Sequence, residues 1–115
     1  MAKNSGSGFD VTAMRAHAGD AAQLLKALAN ENRLQVLCLL AEGERSVGDI
    51  NALLDLSQSA LSQHLAVLRE EGLVRTRREA QTIYYALAPG PALSVMQTLH
   101  GIYCAPPARN RPGRR

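Results

Sequence analysis

Three sets of residues in this 115-residue chain could do chemistry, and each asks for a different partner. The first is the run Ser57-Gln58-Ser59-Ala60-Leu61-Ser62-Gln63-His64-Leu65. At about 100° per residue on a helix, Leu61, His64, Leu65 and Leu68 share one side, while Ser59, Ser62, Gln63 and Ala66 share the other. That second side is small, uncharged and rich in donors and acceptors. A merely solvated helix face usually carries Lys and Glu, so this one suits a groove whose edges display hydrogen-bonding groups. The second set is Arg75, Arg77 and Arg78, on a stretch whose pattern has period two. Their charge could neutralise a phosphate backbone. The third set is Cys38 and Cys104, the two thiols of the chain, which could enter sulfur exchange.

These side chains need elements to hold them. Residues 1–9 are polar and rich in Gly and Ser and read as a flexible lead. From Asp10 to Ala29 the pattern is helical, with Ala21, Leu24, Leu25 and Leu28 on one stripe. Asn30 caps a second helix, Asn32 to Glu42, which is apolar nearly all round and is expected to be the central core element, with Cys38 buried in it. Gly43 stops that helix. Ser46 and Asp49 have the spacing of a capping box before a short helix from Val47 to Leu54. After a turn at Asp55-Leu56, Ser57 caps a helix that runs to Glu71 and is closed by Gly72. Leu73 to Leu87 reads as a two-stranded hairpin with its tip at Arg78–Gln81. Ala88-Pro89-Gly90-Pro91 breaks the strand, and a final helix follows from Ala92 to Cys104, with Val95, Met96, Leu99, Ile102 and Tyr103 as its apolar stripe. Pro106 and Pro107 end it, and residues 105–115 read as a disordered basic tail. The expected fold is mainly α with a small β-hairpin wing, a winged helix-turn-helix domain over residues 10–104.

Composition narrows the partners. With 46% apolar and 20% charged residues the chain is an ordinary globular domain. It has no apolar run near the roughly 20 residues a membrane helix needs, and no apolar stretch after its N-terminal charge, so a cytoplasmic protein with no membrane partner is expected. The formal charge is +3, but Arg109, Arg111, Arg114 and Arg115 account for it, and residues 1–104 alone carry −1. Any nucleic-acid surface on the body is therefore a local patch. With Phe9, Tyr84, Tyr85 and Tyr103 as the aromatics, a stacking platform for single strands is not expected. Double-stranded DNA is the partner that fits.

Blander readings stand beside these. The three arginines could be a solvated edge-strand face. His64 faces the apolar side and reads as a packed, hydrogen-bonded histidine, and Tyr84 and Tyr85 read as ordinary strand residues. Cys38 could be a small core residue and Cys104 an incidental thiol, or the two could be a redox pair. Cys104 lies off the apolar stripe, on the side of His100 and Gln97, which argues that it is accessible. As metal ligands the two cysteines are two short, and His17, His64 and His100 are scattered at non-ligand spacing, so no metal and no cofactor is expected. No base or cofactor loop stands near either cysteine in sequence, which speaks against an enzyme. A scaffold that never meets DNA would leave the polar face of Ser59, Ser62 and Gln63 without a purpose.

The segments Leu25 to Leu34, Ser57 to Leu65 and Leu68 to Val74 resemble the ArsR/SmtB family of bacterial winged-helix repressors, over about Leu24 to Leu87. That resemblance implies a homodimer through the first and last helices, with Ser57, Gln58, Ser59, Ser62 and Gln63 presented to the major groove of a palindromic operator. Members often sense metal. The positions matching one familiar thiolate site are Ser46, Gly48 and Asn51, and Pro89 and Pro91 stand where a second site would begin. Within the family, Leu37 to Leu40, Ser57 to His64, Arg77 to Thr82 and Leu99 to Cys104 look like the sulfide- and persulfide-responsive branch. That likeness implies that Cys38 and Cys104 are the sensing pair. A persulfide or polysulfide donor would link them by a disulfide or a longer sulfur bridge, and DNA would be released. General thiol oxidation by peroxide, action by antagonising a silencing protein, and metal response are the alternatives.

Overall fold

A computed structural model describes residues 8–104; the lead at residues 1–7 and the basic tail at 105–115 lie outside the described residues. Local capping chemistry sets the helix starts. The Asp10 carboxylate accepts from the Ala13 amide at 3.0 Å and opens α1, Val11–Leu28. The Asn30 side chain accepts from the amides of Asn32 and Arg33 and opens α2, Glu31–Glu42. Ser46 accepts from Asp49 at the start of α3, Val47–Leu53, and Ser57 accepts from Ala60 at the start of α4, Gln58–Glu70. Such a cap contributes about 0.5–2 kcal/mol. The last helix, α5, runs Pro91–Tyr103 and has no side-chain cap; its first-turn proline removes one amide that would need a partner.

The end of α4 follows from Gly72. Its φ of +74° lets the Gly72 amide donate to the Arg69 carbonyl and the Leu73 amide donate to the Leu68 carbonyl at 2.9 Å. This is the reversed-chain cap in which the residues that close the ring, here Leu68 and Leu73, also pack together; both are buried. The chain leaves α4 aimed directly into the wing.

The sheet has three strands: β1 Arg45–Ser46, β2 Val74–Glu79 and β3 Thr82–Leu87, antiparallel in the order β1-β3-β2. The extra strand is a departure from the two-stranded expectation. Two residues are too short to show a period, and Arg45-Ser46 becomes a strand only because Tyr85 and Tyr84 stand opposite it. The hairpin is also tighter than its sequence suggested. Glu79 pairs with Thr82, so the loop is Ala80-Gln81 alone, and Arg78 sits in the strand opposite Ile83. Ala80 takes a φ of +57°, the left-handed conformation a two-residue hairpin turn demands.

The core is drawn from every helix and from the base of the wing. Val36, Leu37, Ile50, Leu61 and Leu68 are fully enclosed, and Tyr85 and Leu87 of β3 pack onto the same cluster. Helix α2 is central, as expected, and packs against α1, α4, α5 and β3. It is not buried all round. Val36, Leu37 and Leu40 are enclosed, Leu34 and Leu39 are half-buried, and Cys38 is exposed. The expectation that Cys38 lies buried is corrected: its edge of α2 faces an open groove beside α5.

No described helix is long and apolar enough to cross a membrane. Because Leu61 has no exposed surface and joins α4 to this core, Leu61→Ala is expected to lower unfolding free energy by about 2–5 kcal/mol. Urea denaturation monitored by circular dichroism checks this; a drop below about 1 kcal/mol would contradict the packing described.

Candidate DNA-binding surface and thiol groove

Helix α4 is anchored from below and open above. Leu61, Leu65 and Leu68 are buried, while Gln58, Ser59, Ser62 and Gln63 are exposed on the outer face. Ser57 is exposed too, but its hydroxyl is engaged at the cap and lies 3.4 Å from the Ser59 hydroxyl. The turn before α4 is held by Asn51, whose amide donates to the Leu56 carbonyl at 3.2 Å. From the other side, Arg33 donates to the Ala27 carbonyl and reaches the His64 Nδ1 at 3.4 Å. An arginine can only donate, so this ring nitrogen accepts, and His64 is the half-buried, hydrogen-bonded residue its position suggested. The arrangement is a small, solvent-facing polar surface set on a rigid base.

The wing divides the three arginines. Arg75 and Arg77 lie on the outer face of the sheet. Arg78 has the parity of Val74 and Thr76, on the face of Ile83 that looks toward α3 and α4. Arg77 is heavily engaged. It grips Glu44 with two nitrogens at 2.8 Å each, meets Glu79 at 2.9 Å, and lies 4.4 Å above the Tyr84 ring. The hydrogen bonds from Arg77 hold the Glu44 carboxyl below its ordinary value, and the same pair with Glu79 raises the guanidinium further. Arg77 thus ties β2 to the segment leading into β1, across β3. Among the described residues, Arg75 and Arg78 make no ion pair and remain open to an external anion. Between α3, the start of α4 and the wing tip lies a polar cavity of about 370 Å³, lined by Ser46, Asn51, Gln58, Gln81 and Thr82 among others. Neither Glu44 nor Gln81 was legible as a site residue; Glu44 reaches its partner across 33 positions, and nothing local marks it.

The two thiols share one place. Cys38 on α2 and Cys104 at the end of α5 are both exposed, and both line an apolar cavity of about 380 Å³ with Leu34, Met96, Leu99 and His100. A second cavity of about 400 Å³ adjoins it, lined by Cys38, Met96, His100 and Leu93 among others. Cys38 therefore sits mid-groove and Cys104 at one end. Among the described residues no three of His, Cys, Asp and Glu are grouped to hold a metal ion. Helices α1 and α5 leave large apolar side chains in solvent, including Val11, Met14, Leu25, Ile102 and Tyr103, the last 80% exposed.

Two outcomes follow for the wing. Arg75→Ala and Arg78→Ala should each flatten the dependence of log K for DNA on log salt, by about 0.9 for every phosphate the arginine neutralises. Fluorescence anisotropy over a salt series reads that slope, and a slope unchanged by both substitutions would contradict the assignment. The Glu44 carboxyl is held low by folding, so its contribution is present above the ordinary carboxylate value and vanishes as pH falls through the lowered one. In an acid titration followed by NMR, the Tyr84 ring signals should therefore show in the wild type a component below the ordinary carboxylate range that is missing from Glu44→Gln; identical titrations would contradict the pairing.

Known proteins share both the sequence and this architecture. Residues 30–76 match the family described as "Bacterial regulatory protein, arsR family". The chain is 50% identical over 99 residues to the transcriptional activator HlyU of Vibrio cholerae, covering 86% of this chain and 92% of that protein. It is 51% identical over 94 residues to the biofilm growth-associated repressor of Agrobacterium fabrum, covering 82% and 80%. Among solved structures, reduced HlyU from Vibrio cholerae superposes with a TM-score of 0.75 at 53% identity, over 79% of this chain and 96% of that one. The repressor BigR from Xylella fastidiosa gives 0.79 at 40% identity, over 85% and 100%. These similarities bear out the resemblance carried by the motif residues and the winged-helix fold expected from them. With about half its residues shared across most of both chains, the protein belongs to the arsR family of bacterial regulatory proteins and is a winged helix-turn-helix, DNA-binding transcriptional regulator.

Proposed function

We propose that this regulator is a cytoplasmic homodimeric repressor of a palindromic operator, released when reactive sulfur links Cys38 to Cys104. The observation that carries the reading is the shared cavity: two exposed thiols, on α2 and at the end of α5, line the same apolar groove. The apolar side chains left exposed on α1 and α5 support pairing through those helices. In a dimer, two copies of the face formed by Gln58, Ser59, Ser62 and Gln63 would enter successive major grooves, with Ser57 as cap and Arg75 and Arg78 as phosphate contacts. Arg77 acts from behind, by fixing the wing.

A sulfur bridge acts on this geometry through α5. A plain disulfide needs Cα atoms within about 7 Å, and each inserted sulfur relaxes that limit. Linking the two thiols joins a core helix to a dimer helix, and a two-fold site tolerates little change in the spacing of its two readers. Persulfide and polysulfide donors are thereby inducers, and cytosolic reduction restores the DNA-binding form. One relative is called an activator; the same binding step has that effect where the operator overlaps the site of a silencing protein.

The test is operator binding in a gel shift with reductant, peroxide, polysulfide or Zn²⁺, using wild type, Cys38→Ser and Cys104→Ser. Polysulfide should release the wild type at least tenfold more readily than either variant, and Zn²⁺ should release none of them. If either serine variant still lets go normally under polysulfide, the two-thiol switch is wrong. Equal release by peroxide and polysulfide would make the protein a general thiol-oxidation sensor.

A further inference from the structure

The groove between α2 and α5 contains one more reactive group. His100 lines both cavities, as Cys38 does. It stands one helical turn before Cys104, whose amide donates to the His100 carbonyl at 2.7 Å, so the two side chains emerge on the same side of α5. Its ring makes no hydrogen bond or ion pair among the described residues, and it is exposed toward the groove. The other titratable groups around the groove are Glu42 on α2 and Tyr103 on α5, besides the two thiols. Glu42 is already engaged by Arg45 at 2.7 Å. His100 stands four residues before Cys104 in sequence, and the fold brings Cys38 to the same groove.

Most of the surface around the thiols is apolar, from Leu34, Leu93, Met96 and Leu99. Such walls favour an uncharged reactant. The nucleophile in sulfur exchange is the thiolate, so attack here needs a proton acceptor at hand. An imidazole exchanges protons in the neutral range. We propose that His100 is the proton acceptor and donor for thiol chemistry in this groove, and that the groove admits small uncharged organic trisulfides. The proposal rests on the reading that Cys38 and Cys104 are the sensing pair.

The steps balance without an added oxidant. As Cys38 attacks the central sulfur of R–S–S–S–R, His100 takes its thiol proton. The bond from the central sulfur to one outer sulfur breaks, leaving Cys38–S–S–S–R, and the departing R–S⁻ takes the proton back as R–SH. Cys104 then attacks the same sulfane sulfur, again giving its proton to His100. The second R–S⁻ leaves and is protonated, and the product is Cys38–S–S–S–Cys104. Two thiols are oxidised and one trisulfide is reduced to two R–SH. The inserted sulfur comes from the reactant, so the bridge is one atom longer than a disulfide.

The test uses the reduced full chain and dimethyl trisulfide, with formation of the bridged peptide followed by mass spectrometry for wild type, His100→Gln and His100→Ala. A free thiol is only a few per cent ionised at neutral pH, which caps what an internal base can gain, so at pH 7 His100→Gln should react roughly tenfold more slowly. The gap should narrow as pH rises, because a thiolate formed by solvent base needs no internal acceptor. Added imidazole should restore the rate of His100→Ala, at a salt concentration matched by a chloride control. Circular dichroism establishes that each variant is folded. A folded His100→Gln that reacts at the wild-type rate at pH 7 would overturn the proposal, as would a deficit that is the same at every pH. If the wild type forms the bridge with this dependence but still holds its operator, the regulatory reading fails and the role of His100 stands.

Discussion

Helix α2 has to serve two neighbours at once. Its inner side, Val36, Leu37 and Leu40, is locked in the core that also holds Leu61, Leu65 and Leu68 of α4. Its outer edge carries Cys38 and faces α5 across an open groove. A displacement of α5 relative to α2 is therefore a displacement relative to the base of α4, because a close-packed core transmits strain rather than absorbing it. Cys38 comes one residue after enclosed Leu37, so its thiol is carried by a helix packed into the core. Cys104 is on the helix that leads to the exposed apolar surface. A bond between them would connect the central core helix to the last helix of the chain.

The wing shows a similar division between an engaged cation and open ones. Arg77 spends its guanidinium on Glu44, Glu79 and the Tyr84 ring. These groups are exposed, so the energy of each pair is small. The effect is geometric: a side chain on β2 grips the segment leading into β1 across the strand between them, which steadies a three-stranded sheet whose outermost strand is only two residues long. With Arg77 occupied, Arg75 and Arg78 are the wing's free cations among the described residues, and they point from opposite faces. Three arginines that look equivalent in sequence stand in two different environments.

What the sequence disclosed was what local chemistry decides. Asn30, Ser46 and Ser57 each act as the caps their types and spacing suggest, and Gly72 ends α4 because only a residue at ease with positive φ closes that ring. The polar face of α4 could be read because helical periodicity alone separates Ser59, Ser62 and Gln63 from Leu61, Leu65 and Leu68. The misses have a common cause, which is dependence on distant partners. Strand β1 exists because Tyr84 and Tyr85 stand opposite it. The grip of Arg77 depends on Glu44, and the exposure of Cys38 depends on how far α5 stands from α2. An apolar run such as Leu34 to Leu40 says that a helix is central, but not which edge its neighbours leave uncovered. The placement of His100 in the groove could be suspected from its i, i+4 relation to Cys104, but its sharing of both cavities with Cys38 needed the folded chain.

The central claim is that a sulfur link between α2 and α5 resets the spacing of two paired α4 helices. Pulsed electron resonance measures that spacing directly, with a spin label on a non-cysteine unnatural side chain at Glu70, the exposed last residue of α4. The account predicts one distance in the reduced dimer and a clearly displaced one after trisulfide treatment, with no displacement in Cys104→Ser. A distance distribution unchanged by a fully formed Cys38–Cys104 bridge would contradict it.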